Sequence, residues 1–330
     1  MLKKTISRTG FEVSAIGLGC MGMSEFYGPI DETEAIKTLE RAIDLGVTHF
    51  DTADIYGFGH NEELVSKTLK NHRDKIIIAT KFGVVRDKND PMVRGVNGHP
   101  DYVKKSCEGS LKRLGVDTID LYYVHRIDSH VPIEDTMGAL SNLVQQGKIR
   151  YIGLSEAHPE VIQKAHAVHP LTAIQTEYSL WSRSPEKEVI PLCQSLGIGF
   201  VAYSPIGRGF LTGKMNTMNV LDKTDARRYF PRLQDDNLTH NLKIVETIET
   251  FAQSKNCTPA QLCLAWVLAQ GNHITAIPGT RHRAYLEENC KSDALKLAPE
   301  DIAHLNEAFP FGYAKGDRYP PDMMALCSGE

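Results

Sequence analysis

The chain has 330 residues, 42% of them hydrophobic, and a formal net charge of −4 at pH 7. This length suits two average domains or one barrel-sized domain, and the hydrophobic fraction is sufficient for a large core. Because there is no long run of like charge, no signal-peptide-like start and no membrane-length apolar segment, we expect a cytoplasmic protein without nucleic-acid or membrane partners.

The first predicted element is a β-hairpin that turns at Thr9 and Gly10, and we expect it to cap one end of the fold. After it, short apolar segments alternate with longer helical patterns, several of which begin with a capping signal such as Asp31 followed by Glu34. The predicted strands are 16–19, 47–51, 75–81, 119–125, 149–155, 173–178, 198–204 and 274–279. The predicted helices are 31–45, 61–71, 101–114, 133–147, 159–167, 185–196, 259–270 and 283–291.

Strands that are apolar on both faces and are each followed by a helix indicate a parallel sheet with right-handed crossovers. Eight such units favour a closed (β/α)8 TIM barrel over an open doubly wound sheet, and no linker justifies a domain boundary within residues 1–330. Residues 207–240 are too long for an ordinary loop, which usually marks function or mobility. The tail, residues 310–330, lacks periodicity and either folds over the barrel mouth or is disordered.

Gly17, Gly19 and Gly22 satisfy the GxGxxG pattern of dinucleotide-binding Rossmann folds. That mechanism requires a helix to begin directly after the glycines and to receive the pyrophosphate at its N-terminus. No helix is predicted before Asp31, so a tight turn at the end of the first strand explains the glycines better.

The cysteines and histidines give no sign of a disulfide framework or a metal site. Seven scattered cysteines without CxxC spacing are typical of reduced thiols in a cytosolic protein. HExxH is absent, and His166 and His169 are expected to be surface residues of a helix. No metal ligand is predicted.

Polar residues end otherwise apolar strands at Asp51, Lys81 and His125, and Tyr56 follows Asp51 by five residues. Each has an ordinary structural explanation: a helix cap, a surface lysine, a core histidine and a packed loop tyrosine. A TIM barrel, however, brings the carboxyl ends of its strands to one mouth, where catalytic residues lie. We therefore expect these four side chains to meet.

Together the four residues suit carbonyl reduction, which needs hydride on carbon and a proton on oxygen. Tyr56 is the expected acid, and a neighbouring ammonium from Lys81 is expected to lower its pKa. Asp51 would keep Lys81 charged and oriented, and His125 would donate to the carbonyl oxygen.

The segments DTADIYG, ATKFG, YVHRID, LKRLGVDTIDLYYVH, GKIRYIGLSE, IQTEYSLWSR, AYSPIGRGFLTGK and AIPGTRHRAYLEEN resemble those of the aldo-keto reductase superfamily up to about Asn289. The pattern is most similar to the perakine reductase-like branch of plant, bacterial and fungal enzymes. The resemblance implies the catalytic tetrad Asp51, Tyr56, Lys81 and His125. It also implies NADPH (NADP+) as the cofactor and a small-molecule carbonyl compound as the substrate.

The resemblance further implies specific cofactor contacts. Ser155, Glu156 and Gln175 would lie at the nicotinamide carboxamide, Tyr203 would stack on the ring, and Cys20 and Met21 would touch the same side. The pyrophosphate and adenosine contacts would be Ser204, Pro205, Ile206, Gly207, Lys214, Gly279, Thr280, Arg281, Glu288 and Asn289. The guanidinium of Arg281, in a basic loop after the eighth strand, favours NADPH because it can bind the 2′-phosphate.

Two positions depart from the family pattern. Glu156 stands where many relatives carry asparagine, and Tyr285 stands where other branches have arginine or glutamine. Arg283, Arg227 and Arg228 are further candidate cations for the phosphates. The expected substrate pocket consists of Phe26, Tyr27, Phe82, Arg126, Trp181 and the tail.

Two other functions remain open. One is a cofactor-sensing regulatory protein that resembles the β subunits of voltage-gated potassium channels, which share this barrel. The other is a TIM-barrel sugar isomerase or aldolase, which would leave the pairing of lysine and tyrosine unexplained. Neither the oligomeric state nor the physiological substrate follows from the sequence.

Overall fold

One sheet of eight parallel strands curves into a barrel in the computed structural model, which describes residues 1–90 and 94–327. The strands of the described residues are β1 (Lys3–Thr5), β2 (Glu12–Ser14), β3 (Leu18–Gly19), β4 (His49–Asp51), β5 (Ile77–Phe82), β6 (Val84–Arg86), β7 (Arg94–Val96), β8 (Ile119–Val124), β9 (Ile149–Ser155), β10 (Ala173–Glu177), β11 (Gly199–Tyr203) and β12 (Ile274–Ile277). The barrel order is β3-β4-β5-β8-β9-β10-β11-β12. Parallel bridges from Ile16 to Ala276 and from Gly19 to Gly279 join the first strand to the last and close the barrel.

Helices surround the barrel and alternate with its strands. Within the described residues they are α1 (Glu32–Asp44), α2 (His60–Leu69), α3 (Pro100–Leu114), α4 (Ile133–Gln145), α5 (Pro159–Val168), α6 (Val189–Leu196), α7 (Asp235–Ser254), α8 (Pro259–Ala269), α9 (Arg283–Cys290), α10 (Pro299–Ala308) and α11 (Pro321–Met324). The predicted TIM barrel is therefore confirmed, with each of the eight predicted strands in place. No helix of the described residues is long and apolar enough to cross a membrane.

The N-terminal hairpin closes the bottom of the barrel, where the strands begin. The side chain of Lys4 donates to the carbonyl of Ile274 over 2.7 Å, and the amide of Arg8 donates to the carbonyl of Gly197 over 2.8 Å. Ile6 and Phe11 are buried in the cluster that fills the barrel interior. The bottom is thus packed, which leaves the opposite end for a site.

The glycine pattern near the N-terminus does not open a helix. Gly19 ends β3, and a short 3-10 turn, Met21–Met23, follows. The first helix begins only at Glu32, where the side chain of Asp31 accepts a hydrogen bond from the amide of Glu34 over 3.0 Å. The structure confirms that the motif lacks the helix of a Rossmann fold.

Three regions at the mouth lie outside the eight strand–helix units. A hairpin of β6 and β7 follows the third barrel strand, and residues 207–240 contain several 3-10 turns before α7 begins at Asp235. The described part of the tail, residues 310–327, packs against α7 and this segment. Asn241 donates to the carbonyl of Lys315, and Arg232 donates to the carbonyl of Gly316. Of the two alternatives for the tail, the structure supports folding over the mouth, and residues 328–330 lie outside the described residues.

Candidate active site at the barrel mouth

The alternation of side chains along the strands decides which residues face the barrel interior. Ala79, Tyr123, Ala173 and Val201 belong to the interior cluster. Residues two positions further along the same strands point the same way. This relationship places a ring of polar side chains on top of the apolar interior, at the carboxyl ends of the strands: Lys81, His125, Gln175 and Tyr203.

A buried ion pair between Asp51 and Lys81 forms the centre of the site. Lys81 Nζ donates to Asp51 Oδ1 and, over 2.8 Å, to the carbonyl of Thr52. The other carboxylate oxygen of Asp51 accepts from Gln175 Nε2 over 2.7 Å. Burial lowers the pKa of Lys81, and the Asp51 carboxylate opposes that change. Three strands thus fix one lysine at the mouth.

The hydroxyl of Tyr56 lies beside this ion pair, at 3.4 Å from Lys81 Nζ. The chain reaches this position through a 3-10 turn, Tyr56–Gly59, in which Gly57 and Phe58 have positive φ angles of 57° and 55°. The ring of Tyr56 contacts that of His125 edge to face, with 5.8 Å between centroids. The four predicted residues therefore come together, as expected from their positions at strand ends.

The electrostatics of Tyr56 differ from the sequence-based expectation. Burial, followed by the negative charge of Asp51, raises the pKa of Tyr56 well above its ordinary value. The expected net lowering of this pKa is wrong because burial and the charge of Asp51 outweigh the effect of the neighbouring ammonium. Tyr56 therefore holds its proton at neutral pH, in the form that a proton donor requires.

His125 is held neutral by its surroundings. Burial, together with the positive charges of Arg126, Lys81 and Arg86, lowers the pKa of His125 well below its ordinary value. Among the described residues, its Nδ1 atom is buried without a hydrogen-bond partner. A neutral imidazole next to Tyr56 can donate one hydrogen bond to a carbonyl oxygen.

Ser155 and Gln175 lie side by side because β9 and β10 pair in that register. Gly153 precedes Ser155 on the same face, and a Cβ there would lie 2.4 Å from the ring of Tyr123 and 2.9 Å from the carbonyl of Ala173. Only glycine leaves room for that interior tyrosine. These two of the three predicted carboxamide contacts are thus adjacent and supported by close packing beneath them.

Glu156 has a different set of partners from those expected. Both of its carboxylate oxygens accept hydrogen bonds from Arg318 of the tail, over 3.2 and 2.8 Å, and one also accepts from the amide of Glu177. The hydroxyls of Tyr203 and Tyr319 share a hydrogen bond of 3.0 Å. The tail therefore lies directly against two residues that were predicted to contact the nicotinamide.

The predicted phosphate-side residues follow β11 and β12 on neighbouring parts of the mouth. Backbone of positive φ occurs at Ser204, Gly207, Arg208 and Gly209. Gly279 lies against Gly19, whose carbonyl would be 3.3 Å from a Cβ at Gly279. Lys214 approaches Glu288 at 3.7 Å and lies over the ring of Tyr285.

Of the remaining residues, the structure places Cys20 and Asn289 in the buried interior, Thr280 in an exposed loop, and Pro205 and Ile206 in the turn before Gly207.

The candidate cations for the phosphates differ in what they bind. Arg281 donates to backbone carbonyls, including that of Tyr27 over 2.8 Å, and forms no ion pair within the described residues. Arg283 pairs with Glu34, and Arg227 pairs with Asp225. Arg228 donates to the carbonyls of Met218 and Leu221. Arg281 and Arg228 are thus the candidates that form no ion pair among the described residues.

The prediction that Phe82 lines the pocket is wrong. Phe82 follows Lys81 directly, so its side chain points outward, where it is fully buried and stacks on Tyr122 at 4.9 Å between ring centroids. Trp181 stacks on Phe210 beneath Arg232 and is 8% exposed. Phe26 and Tyr27 lie in the loop after β3, under the guanidinium groups of Arg86 and Arg227 respectively. Arg126 lies beside His125.

Several residues at the mouth were not predicted. Glu177 is buried at the end of β10 and pairs with Arg208 over 2.7 Å, with Arg232 and Arg318 at 3.6 and 3.9 Å. The guanidinium of Arg208 also lies 4.4 Å from the ring centroid of Tyr319. The strand-end position of Glu177 is the same signal that identified Lys81 and His125. The tail residues carry no comparable signal.

Comparison with known proteins agrees with this arrangement. Residues 15–309 match the model of the aldo/keto reductase family. The chain is 49% identical over 312 residues to a probable aldo-keto reductase 1 of Glycine max, covering 94% of this chain and 89% of that protein. It resembles the glycerol dehydrogenase of Gluconobacter oxydans with a TM-score of 0.84 and 31% identity, covering 92% and 94% of the two chains. An aldo/keto reductase of Klebsiella pneumoniae in complex with NADP and acetate gives a TM-score of 0.74 and 26% identity, covering 97% and 99%.

The chain is an oxidoreductase that acts on carbonyl groups and depends on NADP. The chain belongs to the aldo/keto reductase family. The three relatives are all named as enzymes, which gives no support to the channel-subunit alternative. The perakine reductase-like branch stays a prediction, because these relatives do not distinguish between branches.

Proposed function

We propose that the protein reduces aldehydes or ketones to alcohols with NADPH and that Tyr56 is the general acid. The observation that carries this proposal is the contact of three groups at one point: the hydroxyl of Tyr56, the ammonium of Lys81 at 3.4 Å and the edge-on ring of His125. A protonated phenol and a neutral imidazole supply the two donors that a carbonyl oxygen can accept.

The residues of the mouth fit the cofactor. The close approach of Gly19 and Gly279 leaves backbone exposed where an extended ligand can lie. Arg281 forms no ion pair among the described residues, and its guanidinium is suited to a phosphate. Ser155 and Gln175 present a hydroxyl and an amide that suit a carboxamide. When bound, NADPH supplies the hydride that the carbonyl carbon receives.

The residues of the chain then have separate tasks. His125 orients the carbonyl oxygen, and Tyr56 transfers its proton to that oxygen as negative charge develops there. The O–H bond of Tyr56 breaks as the O–H bond of the alcohol forms, which leaves a phenolate for a proton from water to restore. Lys81 lies next to that phenolate and stabilises it, and Asp51 and Gln175 hold Lys81 in place.

The test is the substitution Tyr56→Phe, which deletes one hydroxyl. NADPH-dependent reduction of an aromatic aldehyde should fall by roughly 10²-fold or more, because a positioned general acid contributes at least that much. NADPH binding, followed by fluorescence titration, should be retained. Tyr122→Phe is the matched control, because it deletes a buried hydroxyl without a partner among the described residues, in the layer between barrel and helices. Near wild-type turnover in Tyr56→Phe would show that another residue is the acid.

A further inference from the structure

Arg126 is a charged residue at the reaction centre for which the tetrad gives no task. It follows His125 directly, and its Nη1 atom donates to the carbonyl of His125 over 2.7 Å and to Ser155 Oγ over 3.3 Å. The side chain is half-buried. A guanidinium has five N–H donors in a planar fork, so these two contacts leave most of its donor capacity unused.

Two other arginines of the mouth have carboxylate partners. Arg208 pairs with Glu177 at 2.7 Å, and Arg318 pairs with Glu156 at 2.8 Å. Across residues 1–90 and 94–327, Arg126 forms no ion pair with any carboxylate. The buried carboxylate of Glu156 acts on Arg126 through its charge, but its hydrogen bonds are to Arg318, so Arg126 has no ion-pair partner of its own within the described residues.

The position of this cation matters because it acts on each reacting side chain. The positive charge of Arg126 contributes to lowering the pKa of His125 and that of Lys81, and it opposes the rise in the pKa of Tyr56. A ligand group bound to Arg126 would therefore lie within a small molecule's length of the carbonyl that Tyr56 and His125 address.

We propose that Arg126 binds a carboxylate carried by the substrate and so makes the enzyme selective for carbonyl compounds that bear a carboxylate near the reacting carbonyl. A half-buried guanidinium with free donors is matched by a planar carboxylate, which it can bind in a bidentate way. The substrate carboxylate then supplies the direct ion-pair partner that Arg126 lacks among the described residues. This inference rests on the proposed reductase function and adds the substrate class to it.

The first arm of the test uses the wild-type enzyme and two matched substrate pairs: succinic semialdehyde with its methyl ester, and 4-carboxybenzaldehyde with methyl 4-formylbenzoate. Each pair keeps the carbonyl and changes only the charge. We expect kcat/KM to be roughly 10- to 100-fold higher for at least one acid than for its ester, the gain of one charged hydrogen-bonded pair. The difference should reside mainly in KM and should shrink at high salt.

The second arm compares Arg126→Met, Arg126→Lys and Arg8→Met. Arg126→Met should reduce the acid-to-ester ratio of kcat/KM by roughly tenfold or more, and Arg126→Lys should restore part of it, because a cation remains. Arg8→Met removes the same charge at the bottom of the barrel and should leave the ratio unchanged.

The outcomes separate the two proposals. If the wild-type enzyme reduces the esters as efficiently as the acids, the role of Arg126 is overturned, while carbonyl reduction is supported. An acid-to-ester ratio that is the same in Arg126→Met as in the wild type would overturn it as well. Reduction of none of the four compounds would contradict the proposed function itself.

Discussion

Arg318 donates two hydrogen bonds to the carboxylate of Glu156, and this pair joins the tail to the end of the fifth barrel strand. Both side chains are almost fully buried, at 6% and 4% exposure. Tyr319, the next residue, bonds to Tyr203 on the seventh strand. The tail is therefore fastened to two barrel strands at the point where the chemistry is expected, and it forms part of the site.

Breaking this pair from one side should destabilise the protein. In Arg318→Met the carboxylate of Glu156 keeps its burial and loses its main partner, which costs about 3–5 kcal/mol of unfolding free energy in comparable buried pairs. The double variant Glu156→Gln/Arg318→Met should be more stable than Arg318→Met alone, because no buried charge is left uncompensated. Urea unfolding followed by circular dichroism measures both.

The control for this pair is the exposed ion pair of Lys3 and Glu12, with side chains 59% and 52% exposed. Glu12→Gln should change the unfolding free energy by less than about 1 kcal/mol. A double variant less stable than Arg318→Met alone would show that the two residues do not depend on each other.

Lys81 and Tyr56 should act as one unit in the reduction. Lys81→Met removes the ammonium that stabilises the phenolate of Tyr56, so kcat/KM should fall by roughly 10²-fold or more, as in Tyr56→Phe. The double variant should then be little worse than the worse single variant. Steady-state reduction of one aldehyde by all four proteins, with NADPH titrations, measures this coupling. If the losses in kcat/KM of the single variants multiply in the double variant, the two residues act independently.

Arg281 should determine the preference for NADPH. Arg281→Ala should weaken NADPH binding by roughly tenfold or more and NADH binding much less, because only NADPH carries a 2′-phosphate. Arg283→Ala is the control, since that neighbouring guanidinium is exposed and paired with Glu34. Dissociation constants for both cofactors in the three proteins decide the question, and equal weakening for NADPH and NADH would remove Arg281 from this role.

His49 should make the protein sensitive to acid. It is fully buried in the barrel, neither ring nitrogen has a partner among the described residues, and burial lowers its pKa to about 4. Folding favours the neutral form of His49. The protein therefore has its full unfolding free energy, as far as this group is concerned, above about pH 6.5, and part of that free energy is lost as the pH falls towards 4. A difference of this size between the pKa of His49 in the folded and unfolded states corresponds to about 3 kcal/mol of unfolding free energy.

The measurement for His49 is the unfolding free energy between pH 7 and pH 4. His49→Phe should lose less stability over this interval than the wild type, because phenylalanine cannot be protonated and the neighbouring ring of Phe11 packs against it edge-on. His72→Phe changes a partly exposed histidine outside the barrel and should keep the wild-type pH dependence. Parallel curves for wild type and His49→Phe would assign the acid sensitivity to other groups.

The strands and the meeting of the four side chains could be predicted because both depend on local patterns with a known geometric consequence. An apolar run ending in Asp51, Lys81 or His125 places that residue at the mouth of any parallel barrel. The error at Phe82 had a similarly simple cause. Two adjacent residues of a strand face opposite sides, so Lys81 and Phe82 cannot both point to the site.

The tail and the electrostatics could not be derived in this way. Arg318 and Tyr319 lie in an aperiodic segment, and their partners are more than 100 residues away in the sequence. The pKa of Tyr56 is raised by its burial and by the charge of Asp51 beside it, and both depend on how the folded chain packs around the hydroxyl. The helix α7, by contrast, has a sequence pattern from which it can be predicted, since Asn241, Val245, Ile248 and Ala252 are buried at helical spacing.

The placement of the tail also means that the expected proton-transfer residues and the cover over the mouth belong to structurally separate parts of the chain. The residues expected to move the proton are anchored in hydrogen-bonded strands, where most substitutions disturb the barrel itself. Residues 310–327 and much of 207–240 cover the same mouth without contributing to the strand ladder. Substitutions in these covering segments can therefore change the shape of the mouth without altering the hydrogen-bonded strands beneath it. A lineage built this way can acquire new substrates by changing peripheral segments alone.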